Sequence, residues 1–173
     1  IRDEALRLNQ FVGNLLGMAQ LEAGVLKPNL EWVQVEDMVG AALTGEEDVL
    51  RNHRTRVEID QDLPMLQLDF VLMRQVLSNL LSNAAKYSPP NTDIEILGYR
   101  DGESVVVEVT DCGVGIPSDD LPHVFEKFYQ IPDGDLRRAG AGLGLAICKG
   151  MVDLHDGQIR AASPTKYGQG ATL

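Results

Sequence analysis

Along the first two dozen residues apolar side chains recur at Ile1, Ala5, Leu8, Val12, Leu15 and Ala19, with spacings of 4, 3, 4, 3 and 4. These spacings match the a/d seam of a short coiled coil or bundle. An amphipathic helix packed on its own domain would carry the same stripe. Either way the helix needs a partner and is expected to stand outside the body of the fold, and Gly24 and Pro28 stop it. A short strand around Leu30 to Val35 follows, then a helical stretch from Val35 to about Asn52. Thr55 to Asp60 alternates as a half-buried strand, and Met65 to Leu68 is a second short one after Pro64. Asp69 is placed to cap a helix running to about Tyr87, which Pro89-Pro90 ends. Asp93 to Tyr99 and Ser104 to Thr110 predict a hairpin across Asp101-Gly102. Gly142 to about His155 predicts a helix entered through glycines. Ile159 to Ala162 and Gly170 to Leu173 predict a further strand pair, the last strand cut short. Helices alternating with a mixed, mostly antiparallel sheet give an α+β fold, a two-layer sandwich with helices on one face of the sheet and one long helix before it.

The helix ending at Tyr87 organises the chain. Gln75, Asn79, Asn83 and Lys86 fall at i, i+4, i+8 and i+11, one continuous face. Val76, Leu77, Leu80, Leu81, Ala84 and Ala85 make the rest of the cylinder apolar, so it is expected to be buried on most sides. Its polar stripe carries carboxamides where a solvated face would carry Glu and Lys. Asn competes for the backbone and is a poor helix former, so a repeated Asn needs a reason. A wall of short neutral groups facing an ion or ligand is one; an ordinary solvent stripe is the other.

Composition narrows the choice of partner. At 173 residues the chain has room for one main domain plus an extra element. A net charge of −11 argues against nucleic acid or an anionic membrane as the main partner; an anionic ligand would need cations gathered locally. Cys112 and Cys148 lack metal spacing, which fits a reducing compartment. No apolar run reaches the roughly 20 residues of a membrane span, and no signal peptide is visible. The start at Ile1 reads as a fragment of a longer protein.

Two glycine-rich turns carry the candidate chemistry. The strand ending at Thr110 runs into Asp111-Cys112-Gly113-Val114-Gly115-Ile116-Pro117. An acid at a strand end, with glycines two and four residues on, lets main chain approach a flat ligand closely. A carboxylate there can accept from an exocyclic amine such as that of adenine; the ordinary reading is a turn with a solvated Asp. Further on, Gly140-Ala141-Gly142-Leu143-Gly144 opens a helix whose unsatisfied N–H groups favour phosphate. It is neither a dinucleotide fingerprint, which needs a parallel βαβ unit, nor a Walker loop, which needs Gly-Lys-Ser/Thr. Lys127, Arg137 and Arg138 lie upstream and, with Lys86, are the local cations an anion would need; otherwise they are solvated surface charge. Between the turns, Phe125-Glu126-Lys127-Phe128-Tyr129 holds three of the chain's 4 Phe and 4 Tyr, which suggests a folded lid or a satellite hydrophobic cluster. His53, His123 and His155 have no metal spacing and no evident catalytic partner. They read as structural or surface residues, with His155 placed where a helix end welcomes positive charge.

In this order and spacing the stretches resemble the ATP-binding catalytic domain of bacterial sensor histidine kinases, within the gyrase/Hsp90/histidine kinase/MutL superfamily and its Bergerat-type fold. Asn79 to Tyr87 resembles the N box, Asp111 to Gly115 the first glycine box, Phe125 to Phe128 the F box, and Gly140 to Gly144 the second glycine box. The resemblance covers about residues 30 to 173. It divides the chain into residues 1–26, similar to the last helix of the dimerisation and phosphoacceptor domain, and residues 27–173, the catalytic domain.

The resemblance implies roles. Asn83 would reach Mg²⁺, with Asn79 beside it. Lys86 would lie near the phosphates and Tyr87 near the nucleotide. Asp111 would take the adenine amine, within a pocket including Gly113, Gly115 and Ile116. Gly140, Gly142, Leu143 and Gly144 would hold the phosphates, and residues 118–141, with Phe125, Lys127 and Arg138, would form the ATP lid. The implied activity is transfer of the γ-phosphoryl group of ATP, with Mg²⁺, to a histidine on a dimerisation domain. The implied partners are that domain, in a homodimer, and a response-regulator receiver; the implied location is the cytoplasm, with no nucleic acid or membrane contact by this segment. Hydrolytic relatives carry a glutamate base on this helix, whereas Gln75 and Asn79 cannot take a proton from water, which favours transfer over hydrolysis. No phosphoacceptor His-Glu pair is present, Gln130 stands where Arg is common, and His155-Asp156-Gly157 replaces His-Gly-Gly, a turn variation. The alternative reading is a nucleotide-binding regulatory module without catalysis.

Overall fold

The computed structural model describes residues 2–131, 142–166 and 168–173, with side chains from Val12 onward. Helix α1 spans Arg2–Glu22 and ends as the sequence demands. Gly24 adopts φ +64°, and the Gly24 N–H to Leu21 O and Val25 N–H to Gln20 O bonds, 3.1 and 3.2 Å, close the last turn. Strand β1 (Glu31–Val33) pairs antiparallel with β3 (Leu66–Leu68) as a separate ribbon. Between them lie α2 (Val35–Gly45), α3 (Glu47–Leu50) and β2 (Arg54–Ile59). Helix α4 (Phe70–Tyr87), β4 (Asp93–Asp101), β5 (Ser104–Thr110) and α5 (Gly144–Asp153) complete the set among the described residues.

The main sheet has the order β2-β4-β5, with β2 parallel to β4 and β4 antiparallel to β5. The C-terminal segment extends it beyond β5: Val109 and Leu173 exchange N–H to O bonds of 2.9 and 3.0 Å, and Asp111 N–H donates to Ala171 O at 2.9 Å. Helices α2, α4 and α5 lie on one face. The core is built from Val35, Met38 and Val39 of α2, Val76, Leu80 and Leu81 of α4, Ile147 and Met151 of α5, and Ile94, Ile96 and Val109 of the sheet. This is the expected α+β sandwich.

Several boundaries differ from expectation, each for a local reason. The stretch from Val35 breaks at Glu46, whose ψ of 14° bends the backbone after Gly45. Strand β2 is almost entirely exposed rather than half-buried, because it is the sheet edge and nothing described covers its outer face. The hairpin pairs Asp101 with Ser104, so its turn is Gly102-Glu103, with Gly102 at φ +61°. The expected C-terminal strand pair is reduced to bridges of Thr172 with Ala162 and Thr110. The end of α1 does not stand clear of the body: Met18 and Leu21 pack against the core, and a Cβ on Gly150 would lie 2.9 Å from Leu21 Cδ1.

Candidate functional site

Two cross-links fix how α4 and α5 lie. At one end the Asp69 N–H donates to His155 Nε2 at 2.9 Å; further along, the Cys148 thiol donates to Val76 O at 3.8 Å. The start of α4 thus meets the end of α5, the helices run antiparallel, and the start of α5 lies alongside the Asn79 to Asn83 part of α4. Asp69 caps α4 as expected, its Oδ1 accepting from Leu72 N–H at 3.0 Å.

Of the carboxamide stripe, Asn79 lies beside Cys148 of α5. Gln75, Asn79, Asn83 and Lys86 are all half-buried, not solvated. Asn79 Nδ2 is fully buried with no hydrogen-bond partner among the described residues. Burial pushes the neighbouring Cys148 thiol up to about 12 against a weaker pull from the Asn79 amide, an approach that does not reach hydrogen-bond geometry. Buried polar groups are almost always paired, so an orphaned amide at this junction fits a ligand acceptor. The first turn of α5 is equally bare. Its cap residue Leu143 supplies no side-chain hydrogen bond, leaving the N–H groups of the first turn without intrahelical partners. A Cβ on Gly144 would meet nothing described within 4 Å, so its bareness leaves room for a ligand rather than for packing.

Lys86 and Tyr87 close α4. Lys86 Nζ donates to Tyr87 Oη at 3.1 Å and lies 4.7 Å from the ring centroid. The end of the helix abuts the first glycine turn: a Cβ on Gly113 would fall 2.7 Å from Tyr87 O and 2.9 Å from Asp111 Oδ1. Only glycine allows that approach. Asp111 is 8% exposed; its Oδ1 accepts from Gly113 N–H at 2.7 Å and from Ala171 N–H at 3.3 Å. Burial raises the Asp111 carboxyl above its ordinary value, and the two backbone donors only partly offset this. With Oδ1 engaged by backbone, Oδ2 is the oxygen left for an incoming donor. Gly115, at φ +78°, and Ile116, whose N–H donates to Ser163 Oγ at 2.9 Å, continue the turn. Cys112 beside Asp111 is half-buried, and burial together with the nearby Asp93 and Asp111 charges raises its thiol.

The second glycine turn is described from Gly142 onward; Gly140, Arg137 and Arg138 lie outside the described residues. Gly142 is not helical, with φ +67°. Its carbonyl accepts from Phe128 N–H at 2.8 Å, and a Cβ there would be 2.7 Å from Phe128 C. The F box therefore reaches the second glycine turn through main chain. Its aromatic residues do not gather as one apolar cluster. Phe125 is half-buried but Phe128 is 62% exposed, and Tyr129 donates to Asp120 while its ring lies 5.5 Å from that of His123. Lys127 pairs with Glu22 of α1, so its ammonium is directed to the long helix and not to the glycine turn.

His155 corrects the reading of a positive helix-end charge. Its Nδ1 lies 2.7 Å from Met151 O, an acceptor only, while its Nε2 accepts from Asp69, so the ring is a neutral bridge. Asp156 adopts φ +54°, the left-handed turn for which a glycine would be natural. Sequence reasoning missed Ser163, Gly170, Ala171 and Thr172, which back Asp111. Gly170 at φ +84° would place a Cβ 2.0 Å from Asp111 O, and Thr110 and Thr172 share a hydroxyl contact of 2.9 Å. The glycine pair Gly168 and Gly170 before a terminal strand was the available signal.

Residues 68–173 match the histidine kinase-, DNA gyrase B- and HSP90-like ATPase family. The sensor protein KdpD of Clostridium acetobutylicum is 38% identical over 165 residues, 93% of this chain and 18% of that protein. The sensor-like histidine kinase SenX3 of Mycolicibacterium smegmatis is 34% identical over 172 residues, 98% of this chain and 45% of that protein. The chain thus spans less than half the length of either relative. Among solved structures, the mycobacterial sensor histidine kinase MprB superposes with a TM-score of 0.72 at 27% identity, covering 83% of this chain and 93% of that one. Full-length ShkA in complex with AMPPNP gives a TM-score of 0.83 at 24% identity, covering 99% of this chain and 35% of that one, a likeness of fold. The chain belongs to the histidine kinase-, DNA gyrase B- and HSP90-like ATPase family, as an ATP-binding catalytic domain of the sensor histidine kinases.

Proposed function

We propose that this domain binds ATP with Mg²⁺ between α4, the Asp111 turn and the start of α5, and transfers the γ-phosphoryl group to a histidine carried by a dimerisation domain. The observation that carries the reading is the buried, unpartnered amide of Asn79 on a carboxamide stripe alongside the bare start of α5. Asp111 Oδ2 accepts the adenine amine, and Gly113, Gly115 and Ile116 shape the turn under the base. Asn83 holds Mg²⁺ through its carboxamide oxygen, with Asn79 beside it, and Lys86 serves the phosphates. Gly142, Leu143 and Gly144 present main-chain donors to the phosphates. Gly140 and Arg138 complete that loop, and Phe125 and Lys127 belong to the lid. Mg²⁺ supplies charge neutralisation on the phosphate oxygens. Gln75 and Asn79 offer no base to activate water, so the domain positions and neutralises rather than hydrolyses.

Residues 1–26 serve as the last helix of the dimerisation domain and residues 27–173 as the catalytic domain. The full protein works as a homodimer that passes the phosphoryl group to a response-regulator aspartate, with this segment in the cytoplasm. Among the described residues no helix is long and apolar enough to cross a membrane. The test is Mg²⁺-dependent phosphorylation of a separately supplied phosphoacceptor helix pair by this chain and by Asn83→Ala. Transfer by the wild type, its loss in Asn83→Ala, and no steady phosphate release are expected. ATP binding without transfer would make the domain a regulatory nucleotide-binding module instead.

A further inference from the structure

We infer that Ser163 is a positioning residue for recognition of the base, because its hydroxyl ties together the two backbone segments that frame Asp111. Ser163 Oγ accepts from Ile116 N–H at 2.9 Å and donates to Gly170 O at 2.9 Å. On the first side lies the turn itself. A Cβ on Gly115 would sit 2.7 Å from Ser163 Oγ and 3.1 Å from Gly170 O, so the turn is pressed against this hydroxyl. On the second side, Gly170 leads directly into Ala171, which accepts from Asp111 N–H at 2.9 Å and donates to Asp111 Oδ1 at 3.3 Å. Ser163 thus contacts both the exit of the Asp111 turn and the segment holding its carboxylate. The loop carrying it is held from below. Lys166 Nζ lies 2.7 Å from Glu95 Oε2, and Glu95 is paired in register with Thr110, the residue before Asp111.

A hydroxyl in this position does chemical work that a methyl cannot. Without it the Ile116 N–H and the Gly170 carbonyl both lose a partner in a half-buried site, and the turn is no longer pinned to the Asp111 segment. A small shift of the carboxylate weakens the bond to an exocyclic amine while leaving the phosphate contacts of α4 and α5 in place. The expected signature is lost discrimination for the base.

This inference rests on the reading of Asp111 as the adenine acceptor, and its test separates the two. ATP and purine riboside triphosphate, which lacks the exocyclic amine, are titrated by calorimetry with Mg²⁺ into the wild type, Ser163→Ala and Ser163→Thr. The wild type should prefer ATP. Ser163→Ala should lose about tenfold in ATP affinity with little change for the amine-free analogue, and Ser163→Thr should restore the wild-type ratio. A fold defect would lower the active fraction equally for both nucleotides and leave the ratio unchanged. An unchanged ratio in Ser163→Ala, with the wild type still preferring ATP, overturns the role of Ser163 alone. A wild type without preference for ATP overturns the reading of Asp111 and the inference with it. If Ser163→Ala does not fold, Ser163→Cys against Ser163→Thr poses the same question, since a thiol accepts from an N–H only weakly.

Discussion

Asp69, the cap of α4, and His155, just past the end of α5, meet at one end of the antiparallel pair through a 2.9 Å hydrogen bond from the Asp69 N–H to Nε2. The ring's other nitrogen donates to Met151 O at 2.7 Å. Asp69 is itself a junction: Oδ1 caps α4 through Leu72 N–H, and Oδ2 accepts from Asn29 N–H at 2.8 Å. The imidazole therefore aligns the helix bearing the carboxamide stripe with the helix bearing the bare glycine start, while the carboxylate caps the first of them and ties it to Asn29.

Removing the imidazole leaves a half-buried N–H and a carbonyl without their partner. His155→Ala is expected to cost about 1–3 kcal/mol, seen as a lower urea midpoint with unchanged slope. Asp69→Ala should cost about 1 kcal/mol for the cap and somewhat more for the lost Asn29 bond. A His155→Ala variant as stable as the wild type would show the bridge to be incidental.

Gly170 and Gly144 make a contrasting pair. A Cβ on Gly170 collides with Asp111 O at 2.0 Å, at φ +84°, so Gly170→Ala must displace the C-terminal segment and should lose about 3 kcal/mol or more together with ATP binding. A Cβ on Gly144 meets nothing described within 4 Å, and alanine is the better helix former by about 1 kcal/mol. Gly144→Ala should therefore melt at or above the wild-type temperature while binding ATP at least tenfold more weakly. Undiminished binding would mean that the phosphates do not approach the helix start.

Asp156 gives a prediction of the opposite sign. The Asp156 N–H to Asp153 O and Gly157 N–H to Val152 O bonds, 3.2 and 3.1 Å, wrap the end of α5 in the motif that calls for glycine at the left-handed position. Asp156 holds that position at φ +54°, which costs a side-chain-bearing residue about 1 kcal/mol. Asp156→Gly should raise stability by about 0.5 kcal/mol, the rest being offset by the freer unfolded chain. A lower thermal midpoint would contradict this.

How far the sequence reached depends on the range of the interaction. The Asn79, Asn83 and Lys86 stripe, the Asp69 cap and the glycines after Thr110 are consequences of local spacing and were legible. The break at Glu46 was not, because apolar positions continue through Val49 and Leu50 on either side of it. The exposure of β2 was not, because alternation gives a strand two faces without saying whether a second layer covers one. The backing of Asp111 by Ser163, Gly170 and Ala171 was hidden most completely. It is made by backbone groups and one hydroxyl brought together from distant parts of the chain, and no periodicity records which loop closes on which turn.

The raised carboxyl of Asp111 yields a prediction in which stability and binding move oppositely. Burial lifts its pKa in the folded state above the unfolded value, so the folded chain holds that proton more tightly. The ionised carboxylate therefore costs stability at neutral pH, and this cost disappears as pH falls through the folded pKa. ATP recognition runs the other way, since only the carboxylate offers Oδ2 as an acceptor to the adenine amine. Acidification should weaken ATP binding at a higher pH than an ordinary aspartate would. Asp111→Asn isolates the effect. Its Oδ1 can still accept from Gly113 and Ala171, and the neutral group escapes the desolvation penalty. Its remaining NH₂ opposes the adenine amine, donor against donor. The variant should melt at or above the wild-type temperature near neutral pH, and its stability advantage should shrink on acidification. It should bind ATP about ten- to a hundredfold more weakly, the worth of a hydrogen bond to a charged group. Thermal melts and calorimetry on both proteins from about pH 5 to 7.5 measure this; an Asp111→Asn protein that is less stable yet binds ATP normally would assign the carboxylate to the fold and not to the base.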